Sequence, residues 1–344
     1  MRFIDLAAHG GCSKKGPAKQ LRELLNAVQS AHASSHLEEI SANFPDTGVY
    51  KANGLTLLSS VDVVLPMTLS PADFGKITVC HVLSDIYAGG ALPLFALCIL
   101  GIPGGMSAAS RESVQVMTAA SEQLSAEGTV LVGGHTMTDQ EDFYLGFCAV
   151  GKPIGAAPFV QVNAQPGDRL ILTKPLGTSI ATARWKLEQS SEMDHADVLR
   201  GMLLSNRKAA IFLAGYELSA CTDVTGYGFL GHLYNILFAS KVASVINLSM
   251  LPCYESILKV THPSESRQMW HNKEYVKGEL TLQATVDPLM DSLLFDSQVS
   301  GGLLICVKPK DVEEILTGLR HLGFPSACVG EIRPGTPGAI TIAH

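Results

Sequence analysis

A Pro- and Gly-rich stretch, GKPIGAAPFVQVNAQPGD at 151–168, constrains the fold of this chain more than any other feature. Pro and Gly interrupt helices and strands alike, so the stretch reads as a connector with little helix. Mixed strand and helix patterns flank it. Before it, Leu55–Val64, Leu94–Leu100 and Phe143–Val150 read as strands, and Phe74–Tyr87 and Ala108–Ala126 as helices. Residues 18–40 also read as a helix, with Leu21, Leu24, Leu25 and Val28 on one face, and Gly128–Gly134 as a strand followed by a turn. After the connector, Arg169–Thr173 opens a second mixed segment. Helical patterns are expected there at 194–218, 231–240 and 310–322, and strands at 280–286, 303–307 and 338–343. A chain of 344 residues has room for two domains, expected at 1–155 (with an N-terminal arm, 1–20) and 156–344. Strands and helices mix without a strict βαβ rhythm, so the expected class is α+β.

The net charge of -7 argues against a nucleic-acid groove as the main function. The eight cysteines are scattered with no C-x-x-C pair, which points to a reducing compartment. Cys98 and Cys306 lie in apolar runs and read as small core hydrophobes. The N-terminus lacks the basic and apolar regions of an export signal. The longest apolar run, Leu92–Ile102, contains Pro93 and is too short to span a bilayer. The expectation is a cytoplasmic protein with neither membrane nor nucleic acid as partner.

The segment HGGCSKKGP, 9–17, places the thiol of Cys12 beside the amines of Lys14 and Lys15. Neighbouring cations stabilise a thiolate, and the same lysines can hold a phosphate. Two readings stand: an arm that joins a chalcogen to a phosphoryl group, or a frayed basic tail with an incidental cysteine. The stretch TDVTGYGFLGH, 222–232, contains G-x-G-x-x-G, but the next strand-like run, Val242–Leu248, ends without the acid that a dinucleotide site needs. Asp223 just ahead of the glycines would repel a bare pyrophosphate and attract one that carries a divalent metal. Otherwise Asp223 or Thr225 is a helix cap.

Asp46, Asp62 and Asp85 also sit in or beside apolar segments, where a carboxylate is costly unless paired or metal-bound. Mg2+ prefers carboxylate oxygens together with substrate phosphates, so their convergence on Mg-nucleotide accounts for all of them; singly, each is a cap or turn residue. Gly133-Gly134-His135-Thr136 is expected as a glycine turn, either facing phosphate oxygens or carrying a surface histidine. Ser300-Gly301-Gly302 reads as a further turn. No Walker motif, H-E-x-x-H, zinc-like Cys/His spacing or G-x-S-x-G is present, which argues against common NTPases, zinc hydrolases and α/β-hydrolases.

Together these motifs resemble the selenophosphate synthetases (selenide, water dikinases), nearly end to end. SDIYAGGALP at 84–93, GGHT at 133–136, TDVTGYGFLGHL at 222–233 and DSQVSGGLL at 296–304 resemble a wider ATP-binding superfamily. That superfamily includes aminoimidazole ribonucleotide synthetase and thiamine-monophosphate kinase. Only the Cys12–Lys15 segment singles out the selenium enzymes. The resemblance implies a two-domain aminoimidazole ribonucleotide synthetase-like fold. Its N-terminal ATP-binding α/β domain forms a β-barrel across a homodimer, and a C-terminal α+β domain follows. It implies Mg2+ at Asp46, Asp85 and Asp223. It also implies ATP contacts from Asn43, Phe44, Pro45, Asp62 and Asp85, and from Gly134, His135 and Thr136 of the partner subunit. Cys12 matches the family's Cys or selenocysteine position, and Lys15 binds phosphate, with Lys14 as the alternative. The implied reaction makes selenophosphate, AMP and phosphate from ATP, water and selenide, the selenium arriving free or from a delivering protein. Rival expectations are a sister ATP-dependent kinase or ligase, and a non-catalytic nucleotide-binding selenium carrier. Three departures stand out: one residue is missing between Cys12 and Pro17, Pro45 replaces an acid, and His81 replaces an asparagine.

Overall fold

The computed structural model describes residues 2–8, 10–11, 47–263, 266–283 and 285–343. Strands β1 (Gly48–Ala52), β2 (Leu55–Val64), β3 (Ala91–Pro103), β4 (Val130–Gln140) and β5 (Tyr144–Pro153) form an open sheet in the order β1-β2-β5-β3-β4. Its pairs are antiparallel except β3–β4, which is parallel. Helices α1 (Pro71–Ala88) and α2 (Arg111–Ala126) cover one face. Each begins on a serine: Ser70 Oγ accepts from the Asp73 amide, and Ser110 Oγ from the Ser113 amide. Pro71 sits where its missing N–H costs nothing.

Helix α1 is apolar nearly all round, and 13 of its 18 residues are buried, so it must be covered on several sides. It packs against β2 and β5 on one side and against the C-terminal half on the other. That half holds β6 (Arg169–Leu172), β7 (Leu218–Asp223), β8 (Ala243–Asn247), β9 (Leu280–Leu282), β10 (Leu303–Val307), β11 (Ala327–Arg333) and β12 (Ile340–Ala343). Their order is β7-β10-β6-β11-β8-β12-β9, with β12 parallel to both neighbours and the other pairs antiparallel. Around them lie α3 (Thr178–Lys186), α4 (Ala196–Leu203), α5 (Arg207–Leu213), α6 (Gly228–Ser240), α7 (Arg267–Tyr275), α8 (Pro288–Phe295) and α9 (Val312–His321). The class is α+β, and one buried apolar cluster runs from Phe3 to Ile342 across both halves.

The structure corrects the sequence reading at three places. The helical pattern at 194–218 resolves into α4, α5 and the strand β7. The helices part at Ser205-Asn206, whose side chains bond elsewhere: Ser205 to Glu127, and Asn206 to Ser84 and the Gly301 carbonyl. The segment 133–136 is no turn but lies inside β4, paired with β3. A Cβ on Gly134 would come within 2.4 Å of the Cys98 carbonyl oxygen, so glycine there serves close strand approach. Strand β9 ends at Leu282, short of 286. The expected helix at 18–40 lies outside the described residues.

Candidate active site at the junction of the two halves

On β2 the residues facing the helices are Leu58, Ser60, Asp62 and Val64, two apolar ends around a polar middle. The polar pair meets a polar pair on α1. Ser60 Oγ donates to Asp85 Oδ2, and Asp62 Oδ2 lies 3.0 Å from His81 Nε2. The match follows from geometry. Four helical residues rise about 6 Å and two strand residues about 6.7 Å, so rungs at i, i+2 on a strand register with i, i+4 on a helix. Asp62 Oδ1 also accepts from the Val63 amide at 2.9 Å, so both carboxylate oxygens are engaged. Asp85 occupies the last turn of α1, which holds no basic residue. That end carries the negative pole of the helix dipole, where a carboxylate is disfavoured and a cation favoured.

His81 reaches the C-terminal half as well. Its Nδ1 accepts from the Ser300 amide at 3.0 Å. The Ser300–Gly302 turn is held on every side. Lys174 Nζ donates to the Ser300 carbonyl at 2.8 Å, to Gly201 at 3.4 Å and to the Leu204 carbonyl. Asn206 Nδ2 bridges Ser84 Oγ and the Gly301 carbonyl, both at 2.9 Å. Cβ atoms on Gly301 and Gly302 would strike Val224 O at 2.0 Å and Lys174 N at 2.4 Å, so neither position admits a side chain. Lys174 is 1% exposed, and burial pushes its amine down to about 8, against the pull of Cys80, Asp223 and Glu127.

Asp223 ends β7 with no exposed area. The turn after it leads into α6, where His232 Nε2 accepts the Thr225 amide at 3.1 Å. The Gly226 carbonyl accepts from Asn272 Nδ2 at 3.0 Å and Ser297 Oγ at 2.8 Å. Gly228 has φ 70°, and a Cβ there would lie 2.8 Å from the Phe295 carbonyl. Gly228 therefore serves packing, and among the described residues β7 pairs only antiparallel, with β10, so they form no βαβ dinucleotide unit. Next along the chain, Asp296 sets its carboxylate at the start of α3, accepting from Ser179 N at 3.2 Å and Gln298 Nε2 at 2.9 Å.

Cys12, Lys14, Lys15, Asn43, Phe44, Pro45 and Asp46 lie outside the described residues. Gly11, next to Cys12, is placed. Its N–H donates to the Leu65 carbonyl at 3.1 Å, and it accepts from Leu65 N at 3.2 Å. Its φ is 60°, and a Cβ on it would meet Val299 Cγ2 at 2.7 Å. Gly11 is thus paired with Leu65, just past β2, and packed against Val299, the residue before Ser300.

Gly134, His135 and Thr136 are exposed on the edge strand β4. Asp62, Phe147, Cys98 and Gly134 form one cross-strand row. Three strand spacings, about 14 Å, therefore separate Gly134 from Asp62 within the sheet. One chain brings Asp62 and Asp85 together and leaves the 134–136 segment apart. Sequence reasoning missed Ser60 and Lys174, quoted Asp296 and Gln298 only within the motif at 296–304, and took His81 only as a departure. The one local signal was a polar pair two residues apart in an apolar strand.

Among the described residues, no group of three or more His, Cys, Asp or Glu is placed to hold a metal. Asp85 and Asp223 nevertheless offer the hard oxygens Mg2+ selects, on elements that pack together, and Mg2+ needs only one or two carboxylates when phosphates supply the rest. The donor chemistry fits. The described cysteines are free thiols; burial raises Cys80 and Cys98 to about 12 and about 11 and raises Cys306 too, so these three are inert core residues. No helix among the described residues is long and apolar enough to cross a membrane.

Residues 45–152 match the family described as AIR synthase related protein, N-terminal domain, and 165–342 match its C-terminal domain. A selenide, water dikinase of Geobacter sp. is 32% identical over 338 residues, 96% of this chain and 95% of that protein. One from Nitrosomonas eutropha is 33% identical over 331 residues, covering 94% and 93%. Among solved structures, the thiamine monophosphate kinase of Aquifex aeolicus superposes with a TM-score of 0.67 at 16% identity, covering 94% of this chain and 97% of that one. The hydrogenase maturation protein HypE of E. coli gives 0.64 at 20% identity, covering 95% and 93%. The two structures share the fold, and the sequence matches are closer: this chain belongs to the AIR synthase-related family and, within it, to the selenide, water dikinases.

Proposed function

We propose that this chain makes selenophosphate, AMP and phosphate from ATP, selenide and water. The observation that supports the reading is the pair of polar rungs, Ser60–Asp85 and Asp62–His81, beside the Ser300 turn, next to which Gly11 packs on Val299. Selenide attacks the γ-phosphorus of ATP, forming the Se–P bond and releasing ADP; water then cleaves ADP to AMP and phosphate. Asp46, Asp85 and Asp223 would hold Mg2+, which neutralises charge on the triphosphate when bound. Asp62 and residues 43–45 contact the nucleotide. Lys15, or Lys14 in its place, stabilises charge on the transferred group. Cys12 holds or delivers selenium.

The working unit in this reading is a homodimer, with 1–155 as the ATP-binding and dimerisation domain and 156–344 as the second domain. On the sheet face away from the helices, Val61 is 59% exposed, and Val63 and Leu97 are also exposed. On β4, Val132 is 56% exposed and Val130 is exposed too. Among the described residues, β4 leaves one backbone edge unpaired. A second copy placing its own sheet there would close a barrel, cover these residues and carry its 134–136 segment to this chain's Asp62. Val61→Glu should shift the mass in solution from dimer to monomer by light scattering; a monomeric wild type sinks this part of the proposal.

The deciding experiment is anaerobic incubation with Mg-ATP, with and without selenide, followed by phosphorus NMR. Selenide-dependent AMP, phosphate and a new Se–P resonance are expected. ADP as the sole product, formed without selenide, refutes the assignment in favour of a sister kinase or ligase. Nucleotide binding without turnover refutes it in favour of a non-catalytic carrier.

A further inference from the structure

We propose that His81 is a positioning residue that ties the carboxylate of Asp62 to the Ser300 turn, and through that turn to the seat of Gly11. The inference rests on the reading above, in which Asp62 faces nucleotide.

The Ser300 backbone N–H can only donate, so its bond fixes Nδ1 of His81 as an acceptor. The ring proton must then sit on Nε2, which points at Asp62 Oδ2. The imidazole is thereby the neutral Nε2–H tautomer, donating to Asp62 and accepting from Ser300 at once. Its side chain has no exposed area, so rotation is closed to it. The tie has consequences at each end. The ring and the Val63 amide both donate to Asp62 and aim it. Ser300 sits at φ 50°, a left-handed backbone that a non-glycine residue holds only when its surroundings impose it. The His81 acceptor and the Lys174 donor impose it here. Val299, one residue earlier, is the wall against which Gly11 packs. One buried ring thus couples the nucleotide-facing carboxylate to the seat of Gly11, next to Cys12 in the chain.

Two substitutions divide the tie. The Asn side chain places an oxygen where Nδ1 lies and falls short of Asp62. Gln places its amide nitrogen where Nε2 lies and leaves Ser300 without its acceptor. His81→Asn should therefore weaken binding of a non-hydrolysable Mg-ATP analogue about tenfold, the value of one lost hydrogen bond to a charged group. His81→Gln should bind within about twofold of wild type and instead lower selenide-dependent kcat with little change in KM. In an Asp62→Asn background, His81→Asn should cost nothing further. Thermal melts confirm that each variant is folded. Nitrogen NMR of labelled histidine, assigned by the peak missing in His81→Gln, should show the Nε2–H tautomer in the free protein. A cationic or Nδ1–H ring overturns the tie, and so do equal nucleotide affinities for wild type and His81→Asn, or additive costs in the double variant. A wild type that binds no Mg-ATP overturns the underlying nucleotide reading, while the tautomer still reports on the tie alone.

Discussion

Asp296 is a buried carboxylate whose protonation should set the pH dependence of stability. It is 1% exposed, and burial raises its carboxyl from 3.8 to about 7. Donors from Gln298, Ser179 and Ile180 oppose the rise without cancelling it. The folded protein therefore holds this proton up to about pH 7, while the unfolded chain releases it near pH 4. Between those limits the native state binds more protons, so stability falls as pH rises. A shift of about three units is worth about 4 kcal/mol, all of it lost by pH 7.

Asp296→Asn removes the proton and so should remove the slope. Whatever the amide gains or loses in hydrogen bonding adds a constant offset, because an amide does not titrate. The difference between wild type and variant should therefore drift by about 4 kcal/mol from pH 4 to pH 7.5, in the variant's favour. The assay is urea unfolding followed by Trp185 fluorescence in a Trp270→Phe background. The chain has two tryptophans, and Trp185 lies buried in α3, the helix that Asp296 caps. Other titrating groups are common to both proteins and cancel. Parallel stability curves across the range would refute the reasoning, since they require Asp296 to ionise alike in the folded and unfolded chain.

Lys174 gives the opposite sign: its amine is lowered from 10.5 to about 8, so stability should rise as pH climbs through that window. In Lys174→Met that rise, about 3 kcal/mol, should vanish in denaturant titrations, and an unchanged slope contradicts it. Gly134→Ala should cost roughly 1–3 kcal/mol by forcing β4 off Cys98, with faster amide exchange confined to β3 and β4. Unaltered exchange there argues against the close approach. Gly11→Ala combines φ 60° with the Val299 contact, a penalty of about 1–2 kcal/mol for the backbone alone. The Gly11 contact should release, so selenide-dependent turnover should drop while the melting temperature falls by only a few degrees; full activity would separate the contact from catalysis.

What the sequence made legible is what local patterns encode. The bounds of β2 were read to the residue, because apolar and β-branched side chains dominate it. Helix α1 came within three residues at its start and one at its end. Asp62 and Asp85 stood out because a carboxylate in an apolar segment demands a partner. The Gly-Gly at 133–134 misled because glycine marks a turn and a close strand contact alike, and only the Cys98 carbonyl distinguishes them.

The partners themselves were hidden for a physical reason. His81 meets Ser300 across 219 positions, Asn206 meets Ser84 across 122, and Lys174 meets Ser300 across 126. No helical or strand period reaches so far. Most of these long bonds also end on backbone: the Ser300 amide, the Ser300 carbonyl and the Gly301 carbonyl. A backbone group is present whatever the side chain, so it leaves no residue signature. The Ser300–Gly302 turn is thus a hub built of main chain, and its sequence trace is the motif at 296–304 with a pair of glycines where Val224 and Lys174 leave no room for a side chain. Substitutions at the side chains that reach the hub should therefore disturb the junction more than an equally conservative change at Ser300 itself.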